Sequence, residues 1–152
     1  MLDFSELENE LENTEVIDLT TQVPYGSYIV KLYDLKKKTD TVRPKEKFSA
    51  MFKIVDGEYE NCILWDNYYL STQGDKRTLT YQYKLLKEFF LTLNPRIKWT
   101  FKNIDELENA LKHYVEYTKD TKFEANFRQD TKGYNRVYLK RLDTTDTEKD
   151  DL

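Results

Sequence analysis

The chain has 152 residues, 39% apolar and 34% charged, with one cysteine and one histidine. No apolar run approaches the roughly 18 residues of a membrane span, and one Cys with one His excludes an internal disulfide and a His–Cys or three-His zinc site. What remains is one soluble domain, large enough to bury a core without cross-links. Net charge is −4, but it is segregated: residues 1–19 carry seven acids and no Lys or Arg (−7), residues 143–152 carry five acids and one Lys (−4), and residues 20–142 carry 23 basic and 16 acidic residues (+7). A basic body between acidic ends suits a polyanionic partner better than the total suggests. The aromatic share is 14%, and Tyr, with 12 copies, supplies more than half of it; tyrosine suits a face that must be both wet and adhesive. The acidic N-terminus lacks a signal-peptide pattern, and with the lone Cys62 this predicts a reducing cytoplasm.

The leader FSELENEL has a capping-box pattern at Ser5 and Glu8, with Phe4, Leu7 and Leu11 on one helical face. It reads as a short acidic helix, either docked by that stripe or frayed. Pro24 and Gly26 precede the first strand, Ser27–Leu35, with Tyr28, Val30 and Leu32 on one side and Ile29, Lys31 and Tyr33 on the other. The polar, lysine-rich segment Lys36–Lys47 reads as a loop. Phe48–Val55 alternates as a strand, with Phe48, Ala50, Phe52 and Ile54 on one face and Ser49, Met51 and Lys53 on the other. Asp56-Gly57 signals a turn, and Glu60–Leu70 forms a partner strand or two short ones. A second loop, STQGDKRTLT, carries Lys76 and Arg77 near its tip. Leu85, Leu86, Phe89, Phe90 and Leu93 then mark an amphipathic helix over Tyr81–Leu93, stopped at Asn94-Pro95. A second helix is predicted from about Asn103 to Tyr117, on Ile104, Leu107, Leu111 and Val115. Two strands, Thr121–Asp130 and Tyr134–Leu142, close the body across a turn at Gly133.

Three strands, two helices and two strands, all short, predict a mainly β fold with helices. The expected form is an OB-fold-like, five-stranded, partly open barrel with one or two packed α-helices over residues 20–142, flanked by the leader 1–19 and an acidic tail 143–152. A small α+β sheet packed on its helices competes with it.

No catalytic constellation is visible, so the chain reads as a non-enzyme that needs no cofactor or metal. There is no phosphate-cradling glycine motif among only four glycines. Cys62, amid apolar neighbours, reads as buried rather than nucleophilic, and His113 falls in a predicted helix. Asp56, Glu58, Glu60 and Asp66 raise the question of a Mg²⁺ nuclease centre, but Asp56 serves the turn and Glu58 and Glu60 a solvated strand start.

Basic and aromatic residues interleave instead. Single-stranded nucleic acid offers bases to stack on aromatic rings and phosphates for cations to neutralise. Tyr134, Arg136, Tyr138 and Lys140 share one face of the last strand, and Lys31 and Tyr33 repeat the pattern on the first. Lys53 and Trp65 extend it across the second and third strands, and Lys36, Lys37, Lys38 and Arg43 fall where an OB barrel's first long loop would close over a bound strand.

The stretches VPYGSYIVKLYDL, FSAMFKIVDGEYENCILWDNYYL, YQYKLLKEFFLTLN and KGYNRVYLKRL, across residues 23–142, resemble a family of small phage proteins encoded in replication and recombination modules. Gly26, Tyr28 and Val30, the turn Ile54-Val55-Asp56-Gly57, and Asn135 with Val137 carry the resemblance. It implies an OB-type barrel and single-stranded DNA as partner. The acidic end, closing on Asp150-Asp151-Leu152, is similar to the tails by which single-strand binders recruit replication and repair proteins. Between DNA visits such a tail could also lie against the cationic groove. The expectation is therefore a phage-type single-stranded-DNA-binding protein of the host cytoplasm, without membrane contact. A protein that inhibits a host defence or nuclease by presenting its acidic segments as a DNA mimic is the alternative.

Overall fold

A computed structural model describes residues 3–13, 17–40, 42–43, 45–71 and 73–142; the acidic tail 143–152 and the Leu11 side chain lie outside the described residues. Five strands, β1 (Gly26–Asp40), β2 (Lys45–Ile54), β3 (Ile63–Ser71), β4 (Phe123–Gln129) and β5 (Asn135–Arg141), form one antiparallel sheet in the order β3-β2-β1-β4-β5. Four helices, α1 (Phe4–Asn13), α2 (Lys76–Leu93), α3 (Ile104–Asn109) and α4 (Leu111–Tyr117), complete the described elements. The expected mainly β fold is observed, with the last three helices inserted after the third strand. The sheet is not closed: β3 and β5 are its two outer strands, and the strand order is that of an OB-type sheet opened between them.

Period-two patterning makes the core. Along β2, Phe48, Ala50, Phe52 and Ile54 are buried, and opposite them on β1 lie Val30, Leu32 and Leu35. Phe123 and Ala125 of β4 and Val137 of β5 continue that layer. Taking a side chain such as Phe52 out of water contributes about 1.5–3 kcal/mol. Helix α2 lays Leu86, Phe89, Phe90 and Leu93 against the layer and packs on both β3 and β5, beneath the opening between them. Phe90 is the hub, its ring centroid 4.8 Å from that of Tyr114 in α4, 5.2 Å from Phe89 and 6.0 Å from Phe48. The Arg141 guanidinium donates to the Leu93 carbonyl (2.8 Å), tying the end of β5 to the last turn of α2.

Three local expectations are corrected. Helix α1 is capped by Asp3 rather than Ser5: the Ser5 N–H donates to Asp3 Oδ1 at 2.9 Å. Of the two alternatives for its apolar stripe, the described side chains follow the undocked one, with Phe4 77% and Leu7 47% exposed. The α2 helix starts five residues early because Asp75 caps it, accepting from the Arg77 N–H at 3.0 Å, so Lys76 and Arg77 are helical rather than at a loop tip. The predicted second helix is two, α3 and α4, separated where the backbone tightens at Ala110 into a bond from its N–H to the Leu107 carbonyl (3.0 Å).

The largest correction concerns Lys36–Lys47, which is not a loop but the body of a long β-hairpin. The rungs Lys36↔Ser49, Lys37↔Phe48 and Lys38↔Lys47 carry the ladder almost to the turn, where Asp40 Oδ1 accepts from the N–H groups of Val42 and Arg43. A bulge between Leu32 and Asp34 makes this possible. It shifts the alternation by one, so Leu35 returns to the core and Lys37 lies on the helix side. There Lys37 Nζ lies 3.3 Å from Glu46 and 3.4 Å from Glu108 of α3. Glu58 and Glu60 also differ from expectation: they belong to the turn after Gly57, not to a strand start.

Candidate nucleic-acid interface

The sheet face turned away from the core carries the cations. On β1 these are Lys31, Lys36 and Lys38, and on β2 Lys45, Lys47 and Lys53. Two of the rungs join like charges directly, Lys31↔Lys53 and Lys38↔Lys47, an arrangement that destabilises an antiparallel pair. Acids lie beside some of them: Asp40 is the rung partner of Lys45, and its carboxyl is held below its ordinary range by the N–H groups of Arg43 and Val42, with the Lys45 charge adding to the effect. Asp34 pairs with Lys36 (3.7 Å), Asp40 holds the hairpin turn, and Glu46 faces the helix side with Lys37. Among the described residues, Lys31, Lys38 and Lys47 have no carboxylate within ion-pairing distance.

Strand β3 borders this cationic ladder with aromatic rings on the same face. Met51 lies opposite Trp65 and Lys47 opposite Tyr69. Trp65 is 51% exposed, unusual for so large an apolar side chain on a strand, and Tyr69 is also exposed. The Lys45 ammonium lies 4.2 Å from the Tyr69 ring centroid, a cation–π contact that holds the ring at the rim. Four residues along β3 place the two rings about 14 Å apart along the strand, at about 3.4 Å per residue.

The residues predicted for β5 divide. Tyr134, Tyr138 and Lys140 are exposed as the alternation requires, and the Arg128 guanidinium stacks 4.1 Å from the Tyr138 ring. Arg136 has a different task. Its Nε lies 3.0 Å from Oδ1 of Asp66, a carboxylate on β3 that is almost wholly buried. Oδ2 of Asp66 accepts the Val137 N–H at 3.0 Å. That N–H is left over by the β4–β5 ladder, so the Asp66 carboxylate fills one rung of the pairing that would have closed the barrel. Burial pushes the Asp66 carboxyl upward, against the N–H groups of Val137 and Asn67 and the Arg136 charge, which favour its ionised form. The Arg136 guanidinium also lies 5.0 Å from the Tyr68 ring centroid, and burial drives the Tyr68 hydroxyl well above its ordinary range.

Of the twelve predicted residues, the sheet gathers Lys31, Lys36, Lys38, Lys53 and Trp65 on one face. Tyr134, Tyr138 and Lys140 stand on the outer side of β5. Arg43 is exposed in the hairpin turn, and Tyr33 is half-buried in the bulge without a partner rung. Lys37 and Arg136 are engaged elsewhere. Sequence reasoning missed Lys45, Lys47, Tyr69 and Arg128. The first two carry a readable signal: the alternation of Ser49, Met51 and Lys53 extends backward through Lys47 to Lys45.

The acids weighed as a metal centre are dispersed: Asp56, Glu58 and Glu60 are exposed in the turn, whereas Asp66 is buried at the seam. Among the described residues no group of three His, Cys, Asp or Glu side chains could hold a metal ion. Cys62 is buried with its Sγ 3.9 Å from Asp18 Oδ2, and burial together with that carboxylate raises its pKa away from the reactive thiolate. The chain matches no protein-family model and no curated protein.

Proposed function

We propose that the outward face of β1, β2 and β3 binds single-stranded DNA. Bases stack on Trp65 and Tyr69, and the phosphates meet Lys31, Lys36, Lys38, Lys45, Lys47 and Lys53. One observation carries the reading: the lysine–lysine rung Lys38↔Lys47, destabilising by itself, lies beside two exposed aromatic rings on the same face. A polyanion relieves the repulsion, and a single strand, unlike a duplex, can offer unstacked bases to the rings. Tyr134, Tyr138 and Lys140 add a second aromatic and basic segment on β5, which the Asp66–Arg136 pair holds beside β3. The cationic folded face also weighs against the chain acting as a DNA mimic.

The proposed role is that of a non-enzymatic, phage-type coat for exposed strands in replication or recombination, with residues 143–152 as the segment that recruits partner proteins. The resemblance of the quoted stretches supports that role.

Fluorescence anisotropy of a labelled oligo-dT, with duplex and oligo-U competitors at several salt concentrations, tests the binding. Affinity should fall with salt, log K changing by about −0.7 per phosphate contacted for each decade of salt. Trp65→Ala and Tyr69→Ala should each weaken binding by about 1–3 kcal/mol and leave the salt slope nearly unchanged. Competition by duplex as effective as by oligo-dT, or wild-type affinity in the double variant, would overturn this assignment.

A further inference from the structure

Helix α1 presents its apolar stripe to solvent. Every side chain from Asp3 to Asn9 is exposed, including Phe4 and Leu7, which lie three residues apart on one face. A ten-residue helix is marginal in water without packing, so this stripe is best satisfied against a partner surface. The helix is also acidic. Among the described residues, Glu6 and Glu8 have no cation within ion-pairing distance, and residues 1–19 together carry −7. The opposite combination lies on α2. Its core-facing stripe is Leu86, Phe89, Phe90 and Leu93. The face turned away from the sheet borders an open groove of about 680 Å³, lined by Asp75, Lys76, Arg77, Thr80, Tyr81 and Lys84. Tyr81 is 60% exposed. Lys84 is paired with Glu88 at 3.3 Å, and Asp75 is occupied as the helix cap. Among the described residues, Lys76 and Arg77 have no carboxylate within ion-pairing distance.

We infer that α1 of one molecule docks in the α2 groove of a second, joining copies of this chain head to tail. Phe4 and Leu7 pack over the Tyr81 ring and the aliphatic stems of the basic side chains, while Glu6 and Glu8 meet Lys76 and Arg77. Two matches select this occupant. Charge is complementary, a leader of −7 against a groove with two free cations. Form is complementary as well, since an amphipathic helix with anchors three residues apart is what a groove of this kind accepts. In its own chain α1 is exposed rather than seated there, so the partner is a second copy. The two surfaces differ, and such a contact builds open chains unless its rotation closes a ring. A helix of this length covers less than the roughly 1,200 Å² of a stable interface, so association is weak and concentration-dependent. The contact uses no residue of the proposed single-strand site.

Sedimentation velocity of the full chain, without DNA, tests the contact. Between about 10 μM and about 1 mM, where weak contacts form, the sedimentation coefficient of wild type should rise with concentration, and less so at high salt. Phe4→Ala/Leu7→Ala should stay monomeric. Glu6→Lys/Glu8→Lys and Lys76→Glu/Arg77→Glu should each stay monomeric alone, because helix and groove then carry like charge. Mixed in equal amounts, these two variants should associate about as well as wild type, because each helix then meets a groove of opposite sign. All six altered side chains are exposed, and thermal melts that match wild type would exclude a folding defect. Wild type that stays monomeric through the range overturns the inference, as does a mixture of the two charge variants that stays monomeric. Association that persists in Phe4→Ala/Leu7→Ala assigns the contact to another segment of the chain and overturns it too. The DNA titrations are separate, so either proposal can fail without the other.

Discussion

Two regions of this sheet present the same kind of sequence to solvent and put it to opposite uses. Along β5 and the residue before it, Tyr134, Arg136, Tyr138 and Lys140 alternate; in the β1–β2 hairpin, Lys36, Lys38, Lys45 and Lys47 do so. At the centre of β5, Arg136 is committed to a buried carboxylate 70 residues away in sequence, and its charge serves the joint between the sheet's two outer strands. In the hairpin, lysines face lysines with no acid beside Lys38 or Lys47 among the described residues. Alternation therefore tells which way a side chain points, and the partner it finds decides whether its charge holds the fold or remains available to a ligand.

The sharpest way to test that division is to break the seam. Asp66→Ala leaves Arg136 without its counter-charge and the Val137 N–H without an acceptor, in a site closed over by α2. Removing one member of a buried ion pair costs about 3–5 kcal/mol, and chemical unfolding should show a loss of that size. A loss below about 1 kcal/mol would mean that apolar packing of α2 on β3 and β5 holds the opening by itself. Arg136→Gln should have a smaller effect of the same sign, about 1.5–3 kcal/mol for a charged hydrogen bond, because Val137 and Asn67 still donate to Asp66. Its affinity for oligo-dT should stay near wild type; a large loss would return Arg136 to the interface.

Much of the fold was legible because burial leaves a period in the sequence. Phe48, Ala50, Phe52 and Ile54 spell the inward face of β2, and Leu86, Phe89, Phe90 and Leu93 the inward stripe of α2. Gly57, with φ of 85°, and Gly133, with φ of 87°, mark turns whose backbone favours glycine. The hairpin arm was misread because consecutive lysines carry no apolar period, and strand pairing there is set by the opposing strand, which local pattern does not contain. The bulge after Leu32 compounded this: a one-residue shift moves every later side chain to the other face, sending Lys37 to Glu46 and Glu108 and leaving Lys36 and Lys38 outside. Trp65 was placed by its neighbours in sequence, yet its exposure follows from its rung opposite Met51. Arg136 could not be assigned at all without knowing that β5 meets β3. The site was thus readable as composition and strand face, while the division between structural and free cations depended on contacts distant in sequence.

The smallest expected effect is also the most discriminating. Lys38→Glu would turn the repulsive rung with Lys47 into an attractive one, near the turn of the hairpin and away from the core. Cross-strand opposite charges contribute about 0.2–1 kcal/mol, so the variant should be slightly more resistant to denaturant than wild type. The same change removes one of the proposed phosphate contacts and places a negative charge in the proposed path of the strand. Oligo-dT affinity should therefore fall, and the salt slope should shrink by about 0.7. Arg136→Gln makes the opposite pair of changes, weakening the fold while sparing the affinity. Under the proposed function, a lysine that destabilises its own sheet is accounted for by the phosphate it would meet. If Lys38→Glu raised stability and left binding untouched, the hairpin lysines would be a solvated surface, and the single strand would have to run along β5 instead.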